Sequence, residues 1–140
     1  MRTIIAGSRS ITSYEVVDQA IQKACTEHNI TITEVVEGEA KGVDVLAKQW
    51  AINNGIPYKP FEAKWKDVTT TGARVKRGKY GPYNVLAGFW RKEDMAVYAA
   101  SDHPVNGALI AVWDGQSTGT NDMVQRATNH NLIVAVVNVK

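Results

Sequence analysis

The feature that most constrains this chain is a regular alternation of short apolar runs with longer amphipathic stretches over its 140 residues. The run at 108–113 is apolar throughout, which is typical of a strand buried on both faces of a parallel sheet. The longer stretches repeat apolar residues at the three- and four-residue spacing of helices. We expect strands at 3–6, 32–37, 58–61, 108–113 and 132–137, and helices at 14–28, 43–54, 84–100 and 120–129.

This alternation predicts the fold class. Strands separated by helices of this length are joined by right-handed crossovers and form a mostly parallel sheet covered on both faces. The sequence therefore predicts an α/β fold, a single Rossmann-like three-layer domain over residues 1–140 with about five strands. Ligands of such sheets bind beyond the carboxyl ends of the strands, where the strand order reverses. The loops after the first, second and fourth strands are therefore the candidate site.

Several classes of protein are excluded by the sequence. No apolar run approaches the roughly 20 residues of a membrane span, and the chain enters its first strand without a signal-peptide pattern, so we expect a cytoplasmic protein. The single Cys25 excludes an internal disulfide. The histidines, His28, His103 and His130, are scattered without zinc-ligand spacing. We expect no metal and no cofactor.

Positive charge is concentrated in the middle of the chain. Residues 1–58 hold 5 basic and 7 acidic side chains, residues 59–92 hold 9 and 2, and residues 93–140 hold 2 and 5. This basic segment favours an anionic partner, either a phosphorylated small molecule or a nucleic acid. The alternative is a solvated loop whose lysines only increase solubility. Within the basic segment, residues 64–83 lack periodicity, which predicts a mobile basic loop or lid.

The three loops share small, flexible and hydroxyl-bearing residues. After the first strand, Gly7, Ser8 and Arg9 offer a tight turn, a hydroxyl and a cation to an anion. After the second strand, Gly38 and Gly42 allow close backbone approach, and Asp44 suits either a helix start or a ribose hydroxyl. After the fourth strand comes a stretch that resembles a phosphate cradle and consists of Asp114, Gly115, Gln116, Ser117, Thr118, Gly119 and Thr120. A plain capped turn remains the alternative for any one of these loops.

These residues, with Arg91-Lys92-x-x-Met95 on the third helix, resemble the SLOG superfamily, in particular its YspA-like branch. The matching second-loop motif is Gly38-x-x-Lys41-Gly42-Val43-Asp44. The resemblance covers nearly the whole chain and implies a Rossmann-like fold, a nucleotide or nucleotide-derived ligand, and a homo-oligomer. The superfamily includes LOG phosphoribohydrolases, DNA-binding DprA proteins and sensors of NAD-derived signals.

The comparison with LOG enzymes argues against catalysis. Their fourth-strand loop reads P-G-G-x-G-T-x-x-E, and the position of the catalytic Glu is Met123 here. A thioether neither stabilises the oxocarbenium-like transition state nor protonates the leaving base. LOG-type hydrolysis would need another carboxylate, from Glu37, Glu39, Asp44 or Asp114.

The sequence thus predicts a protein that binds a nucleotide or ADP-ribose-type molecule for sensing or sequestration, with no assigned catalytic residue. The alternatives are an N-glycosidic phosphoribohydrolase acting on nucleoside monophosphates, or a single-stranded nucleic-acid-binding module that would use the basic segment. The predicted ligand-binding residues are Gly7, Ser8, Arg9, Gly38, Lys41, Gly42, Asp44, Arg91, Asp114, Gly115, Ser117, Gly119 and Thr120.

Overall fold

The computed structural model describes residues 1–101 and 106–139, so His103 lies outside the described part. The predicted Rossmann-like α/β fold is confirmed: a five-stranded, all-parallel sheet has the order β3-β2-β1-β6-β7 and is flanked by helices. The elements in chain order are β1 (Arg2–Gly7), α1 (Tyr14–His28), β2 (Glu34–Glu37), α2 (Val43–Asn53), β3 (Tyr58–Pro60), β4 (Val75–Gly78), β5 (Gly81–Asn84), α3 (Ala87–Ala100), β6 (Ala108–Trp113), α4 (Thr118–Asn129) and β7 (Ile133–Asn138).

Each face of the sheet carries its own apolar core. Ile5 of β1 packs with the side chains of α1 and α2, whereas its neighbour Ile4 packs with those of α3 and α4. Both isoleucines are completely buried. Because successive residues of a strand point to opposite faces, a central strand covered on both sides must be apolar throughout.

The strand order reverses between β1 and β6. From β1 the chain proceeds outward through β2 and β3 on one side, whereas β6 pairs with the other edge of β1 and leads to β7. The carboxyl ends of β1 and β6 therefore lie next to each other at the switch point, where a ligand crevice is expected.

A hairpin occupies part of the segment predicted as an irregular loop. β4 and β5 pair antiparallel around Lys79 and Tyr80, separately from the main sheet. Gly81 has φ +107, a conformation that glycine adopts without strain. Asn84 belongs to β5 rather than to a helix, and α3 begins at Ala87. Short two-stranded elements built from exposed polar residues give little periodic signal, which is why the pattern missed this hairpin.

Serine side chains cap the amino termini of two helices. The Ser13 Oγ accepts a hydrogen bond from the Val16 N–H at the start of α1. Ser117 caps α4, which begins at Thr118 rather than at Thr120. Within the described ranges, no helix is long and apolar enough to cross a membrane.

Candidate functional site

A cleft of about 460 Å³ opens at the switch point, over the carboxyl ends of β1 and β6. Its walls come from the loops after β1, β2 and β6, from the first turn of α2, from the middle of α3 and from the first two turns of α4. The lining residues are Ala6, Gly7, Ser8, Arg9, Ser10, Ala40, Asp44, Arg91, Lys92, Met95, Asp114, Ser117, Gly119, Thr120 and Met123.

The loop after β1 is tied to the loop after β6. The buried Ser8 donates its N–H to the Val112 carbonyl oxygen at 3.2 Å, and its Oγ accepts from the Asp114 N–H at 3.0 Å. A Cβ on Gly7 would lie 2.1 Å from that same carbonyl oxygen, so only glycine fits there. Helix α1 begins only at Tyr14. Its amino terminus does not line the cleft, whose wall at this point consists of the loop residues Ser8, Arg9 and Ser10.

Asp114 shapes the loop after β6. Its Oδ1 accepts from the N–H groups of Gln116 and Ser117 at 2.8 and 2.9 Å, and its Oδ2 accepts from the Ser10 hydroxyl at 3.1 Å. The two backbone N–H groups are the main cause that lowers the pKa of Asp114 to about 2. The carboxylate stays ionised and is occupied by bonds that hold the loop in position.

The amino terminus of α4 forms the far wall of the cleft. The Ser117 Oγ accepts from the Thr120 N–H at 3.3 Å and from the Thr120 hydroxyl at 3.1 Å. The N–H groups of Thr118 and Gly119 have no hydrogen-bond partner among the described residues. Free N–H groups at a helix start carry partial positive charge, so this turn offers two donors to an anion.

The glycines of the second loop are required by packing. A Cβ on Gly42 would lie 2.6 Å from the Ser8 carbonyl oxygen, and Gly42 has φ +81, which favours glycine. A Cβ on Gly38 would lie 2.8 Å from the Asp44 Oδ2 and 3.2 Å from the Arg91 Nε. Both glycines therefore allow the loop to approach the neighbouring elements, and neither lines the cleft itself.

Asp44 presents a carboxylate to the cleft from the first turn of α2. Its Oδ2 accepts from the N–H groups of Gly38 and Ala40, at 3.1 and 3.4 Å, and its Oδ1 accepts no hydrogen bond from the described residues. The side chain is only 6% exposed. Burial raises the pKa of Asp44 to about 6, although the charge of Arg91 and the two N–H groups act in the opposite direction.

Two cations extend from α3 into the same cleft. Arg91 is half-buried, and its Nη1 donates to the Gly38 carbonyl oxygen at 2.9 Å. Lys92 Nζ lies 3.3 Å from the Asp122 Oδ2 and 3.7 Å from the position of a Cβ on Gly119. Burial lowers the pKa of both groups. Desolvated cations of this kind interact strongly with an anion that enters the cleft.

A second carboxyl group, which does not line the cleft, lies close enough to Asp44 for the two charges to interact. Glu37, the last residue of β2, is completely buried, and its Oε2 accepts from the Glu39 N–H at 2.6 Å. Its Oε1 has no partner among the described residues. Burial is the main cause that raises the pKa of Glu37 to about 8, and the carboxylates of Glu39 and Asp44 add to it. Glu37 is therefore largely protonated at neutral pH.

Most of the residues predicted for the site come together. Nine of them line the cleft, namely Gly7, Ser8, Arg9, Asp44, Arg91, Asp114, Ser117, Gly119 and Thr120. Gly38 and Gly42 support its walls, whereas Lys41 and Gly115 lie outside the lining, and Lys41 is exposed. Whether each lining residue binds a ligand stays a prediction.

Lys92 lines the cleft but was not among the predicted ligand-binding residues. In the structure its side chain is 14% exposed and lies between Phe89, whose ring centroid is 4.9 Å from Nζ, and Asp122. Its pairing with Arg91 in the Arg-Lys motif was the signal that could have identified it. Met123, at the position of the LOG glutamate, also lines the cleft and is 2% exposed.

The parallel sheet and the charged cleft at its switch point define a Rossmann-like protein. Residues 1–67 match the model of the family described as YAcAr: YspA, cpYpsA-related SLOG family. The match confirms the predicted resemblance to the SLOG superfamily and its YspA-like branch over residues 1–67. It extends from β1 past β3, whereas Arg91 and the loop after β6 lie beyond it. No curated protein and no solved structure matches the chain.

Proposed function

We propose that this chain binds a nucleotide or nucleotide-derived molecule of the ADP-ribose type in the switch-point cleft and holds it intact, for sensing or sequestration. The observation that carries the proposal is the convergence of three cations, Arg9, Arg91 and Lys92, on a cleft that Gly119, at the amino terminus of α4, also lines. A volume of about 460 Å³ falls within the usual range for small-molecule sites.

The phosphates of the ligand would occupy the wall made by α3 and α4. Lys92 lies against the first turn of α4, so one phosphate can meet its ammonium group and the N–H group of Gly119 together. Arg91 supplies a planar guanidinium with donors beyond the one used by Gly38. This arrangement suits a diphosphate, because the two cations line the same cleft and each can neutralise one phosphate.

The ribose would lie at Asp44, next to Arg91. A carboxylate with one oxygen fixed by backbone N–H groups and the other open accepts hydrogen bonds from a pair of vicinal hydroxyls without reorganisation. Arg9 flanks this position and adds a charge that stabilises the ionised form of Asp44.

A second candidate function is N-glycosidic hydrolysis of a nucleoside monophosphate. Asp44 favours it, because a carboxyl group that faces the cleft with a pKa of about 6 suits proton transfer near neutral pH. Met123 argues against it, because the residue at the position of the LOG glutamate carries no charge to stabilise an oxocarbenium ion. Holding without cleavage is therefore the function that we favour.

The test is a thermal-shift panel of AMP, ADP-ribose, cyclic ADP-ribose, NAD and cyclic dinucleotides, with chromatography of each mixture afterwards. Binding predicts a rise in Tm for at least one adenine nucleotide, which stays intact. A ligand at 100 times its Kd adds about 2.7 kcal/mol to the free energy of unfolding. Release of free base would support the hydrolase, and no shift with any member of the panel would contradict both.

A further inference from the structure

We propose a second binding site outside the cleft: the β4–β5 hairpin, with Trp65 beside it, forms a platform for single-stranded nucleic acid. The hairpin forms a separate two-stranded sheet, and every residue of β4 is exposed. The platform is a groove of about 470 Å³ along the hairpin turn, lined by Trp65, Lys66 and residues 78–83.

The charge of this region is not neutralised within the protein. Residues 64–83 hold six basic side chains, Lys64, Lys66, Arg74, Lys76, Arg77 and Lys79, against the single acid Asp67, which gives a net charge of +5. None of the six forms an ion pair with a described residue. Unpaired cations on an exposed hairpin attract a polyanion, because counterions released from its phosphates make binding favourable.

Aromatic rings accompany these cations. Tyr80, at the hairpin turn, is 91% exposed, and Trp65 is 42% exposed. The ring of Tyr83 lies across Gly78, where a Cβ would be 3.0 Å from it. Trp65 is held in place, since its carbonyl oxygen accepts from the Asn84 N–H at 2.7 Å.

Exposed rings interleaved with lysines favour a single strand over a duplex. Unpaired bases can stack on Trp65 and Tyr80 while the phosphates follow the lysines, whereas a duplex hides the faces of its bases. Stacking tolerates any base, so we expect weak sequence preference.

The test is fluorescence anisotropy with a labelled single-stranded 20-mer of mixed sequence, its duplex, and anionic phospholipid vesicles as a competitor. The Lys76→Gln/Lys79→Gln variant should lose about tenfold or more in affinity, and the slope of log K against log salt should decrease by about 1.4. The control is Lys23→Gln/Lys48→Gln on α1 and α2, which removes the same charge and should stay within about twofold.

A second variant isolates stacking. Tyr80→Ala should weaken binding by about fivefold or more at an unchanged salt slope, and its Tm should equal that of the wild type because the ring is exposed. The proposal is overturned if the wild type does not bind the 20-mer at low salt, if the control loses as much as the hairpin variant, or if duplex or vesicles are preferred. Arg91→Ala should bind the 20-mer with the affinity of the wild type. The test of this site is therefore independent of the test of the cleft.

Discussion

The Asp114 N–H donates to the Ser8 Oγ at 3.0 Å, which joins the loops after the two central strands, 106 residues apart in the chain. Ser8 is 1% exposed. Together with the bond from the Ser8 N–H to the Val112 carbonyl oxygen, the bond from Asp114 holds the two sides of the switch-point cleft together.

Removing that hydroxyl should destabilise the protein. Ser8→Ala leaves the Asp114 N–H without its acceptor, and we expect the free energy of unfolding to fall by about 1 to 2 kcal/mol. Ser10→Ala is the control, because Ser10 is exposed and its hydroxyl bonds the outer oxygen of Asp114. Ser10→Ala should lower the free energy of unfolding, measured by urea denaturation, by no more than about 0.5 kcal/mol. Equal losses in the two variants would show that the buried bond is not what joins the loops.

Gly119→Ala should weaken ligand binding without destabilising the fold. A Cβ there would meet Lys92 Nζ at 3.7 Å, an ordinary contact, yet it would occupy the space proposed for a phosphate. Gly119→Ala should therefore keep or raise the Tm, since alanine is the better helix residue by up to about 1 kcal/mol. Binding of ADP-ribose should weaken by at least about tenfold. Unchanged affinity in a calorimetric titration would place the phosphate elsewhere.

Ligand affinity should depend on the ionisation of Asp44. Its pKa is about 6, so the carboxylate is protonated below that pH and loses its capacity to accept from two ribose hydroxyls. We expect the Kd for ADP-ribose, whose diphosphate does not titrate in this range, to rise about fivefold from pH 7.5 to pH 5. Asp44→Asn should bind more weakly at pH 7.5 with a flat profile. A profile as steep as that of the wild type would assign the titration to another group.

The buried Glu37 should make stability fall as pH rises. Its folded pKa of about 8 exceeds the ordinary value of 4.5, so between these values the unfolded chain loses a proton that the folded chain keeps. Glu37→Gln cannot ionise, and its stability relative to the wild type should increase by about 2 to 4 kcal/mol from pH 5 to pH 8.5. Glu62→Gln, at an exposed position, should show no such increase. Parallel urea-denaturation profiles for Glu37→Gln and the wild type would contradict the raised pKa.

The sequence predicted the central architecture because its signal is local. The apolar run of β6 and the helical spacing of apolar residues in α1 are visible in the sequence. The small residues that follow the strands predicted the position of the cleft. The sequence does not show which polar side chains become buried or which neighbours they contact in the folded protein. Lys92 looks like any surface lysine until α4 packs beside it, and Glu37 looks like any strand-end glutamate until burial changes its pKa.

The hairpin and the role of Gly42 were also not predictable from local sequence. β4 consists of exposed residues, and neither β4 nor β5 carries a periodic apolar pattern. Gly42 was interpreted as allowing a ligand to approach, whereas it accommodates the backbone of the loop after β1. Only the neighbours in space decide between these two reasons for a glycine.

The most direct test of the central claim is calorimetric titration of ADP-ribose into the wild type and the Arg91→Ala variant, with Lys23→Ala on α1 as control. The proposal predicts one site per chain in the wild type and the control, and an affinity at least about tenfold lower in Arg91→Ala. Equal binding by all three proteins, or none by the wild type, would contradict an ADP-ribose site in the cleft.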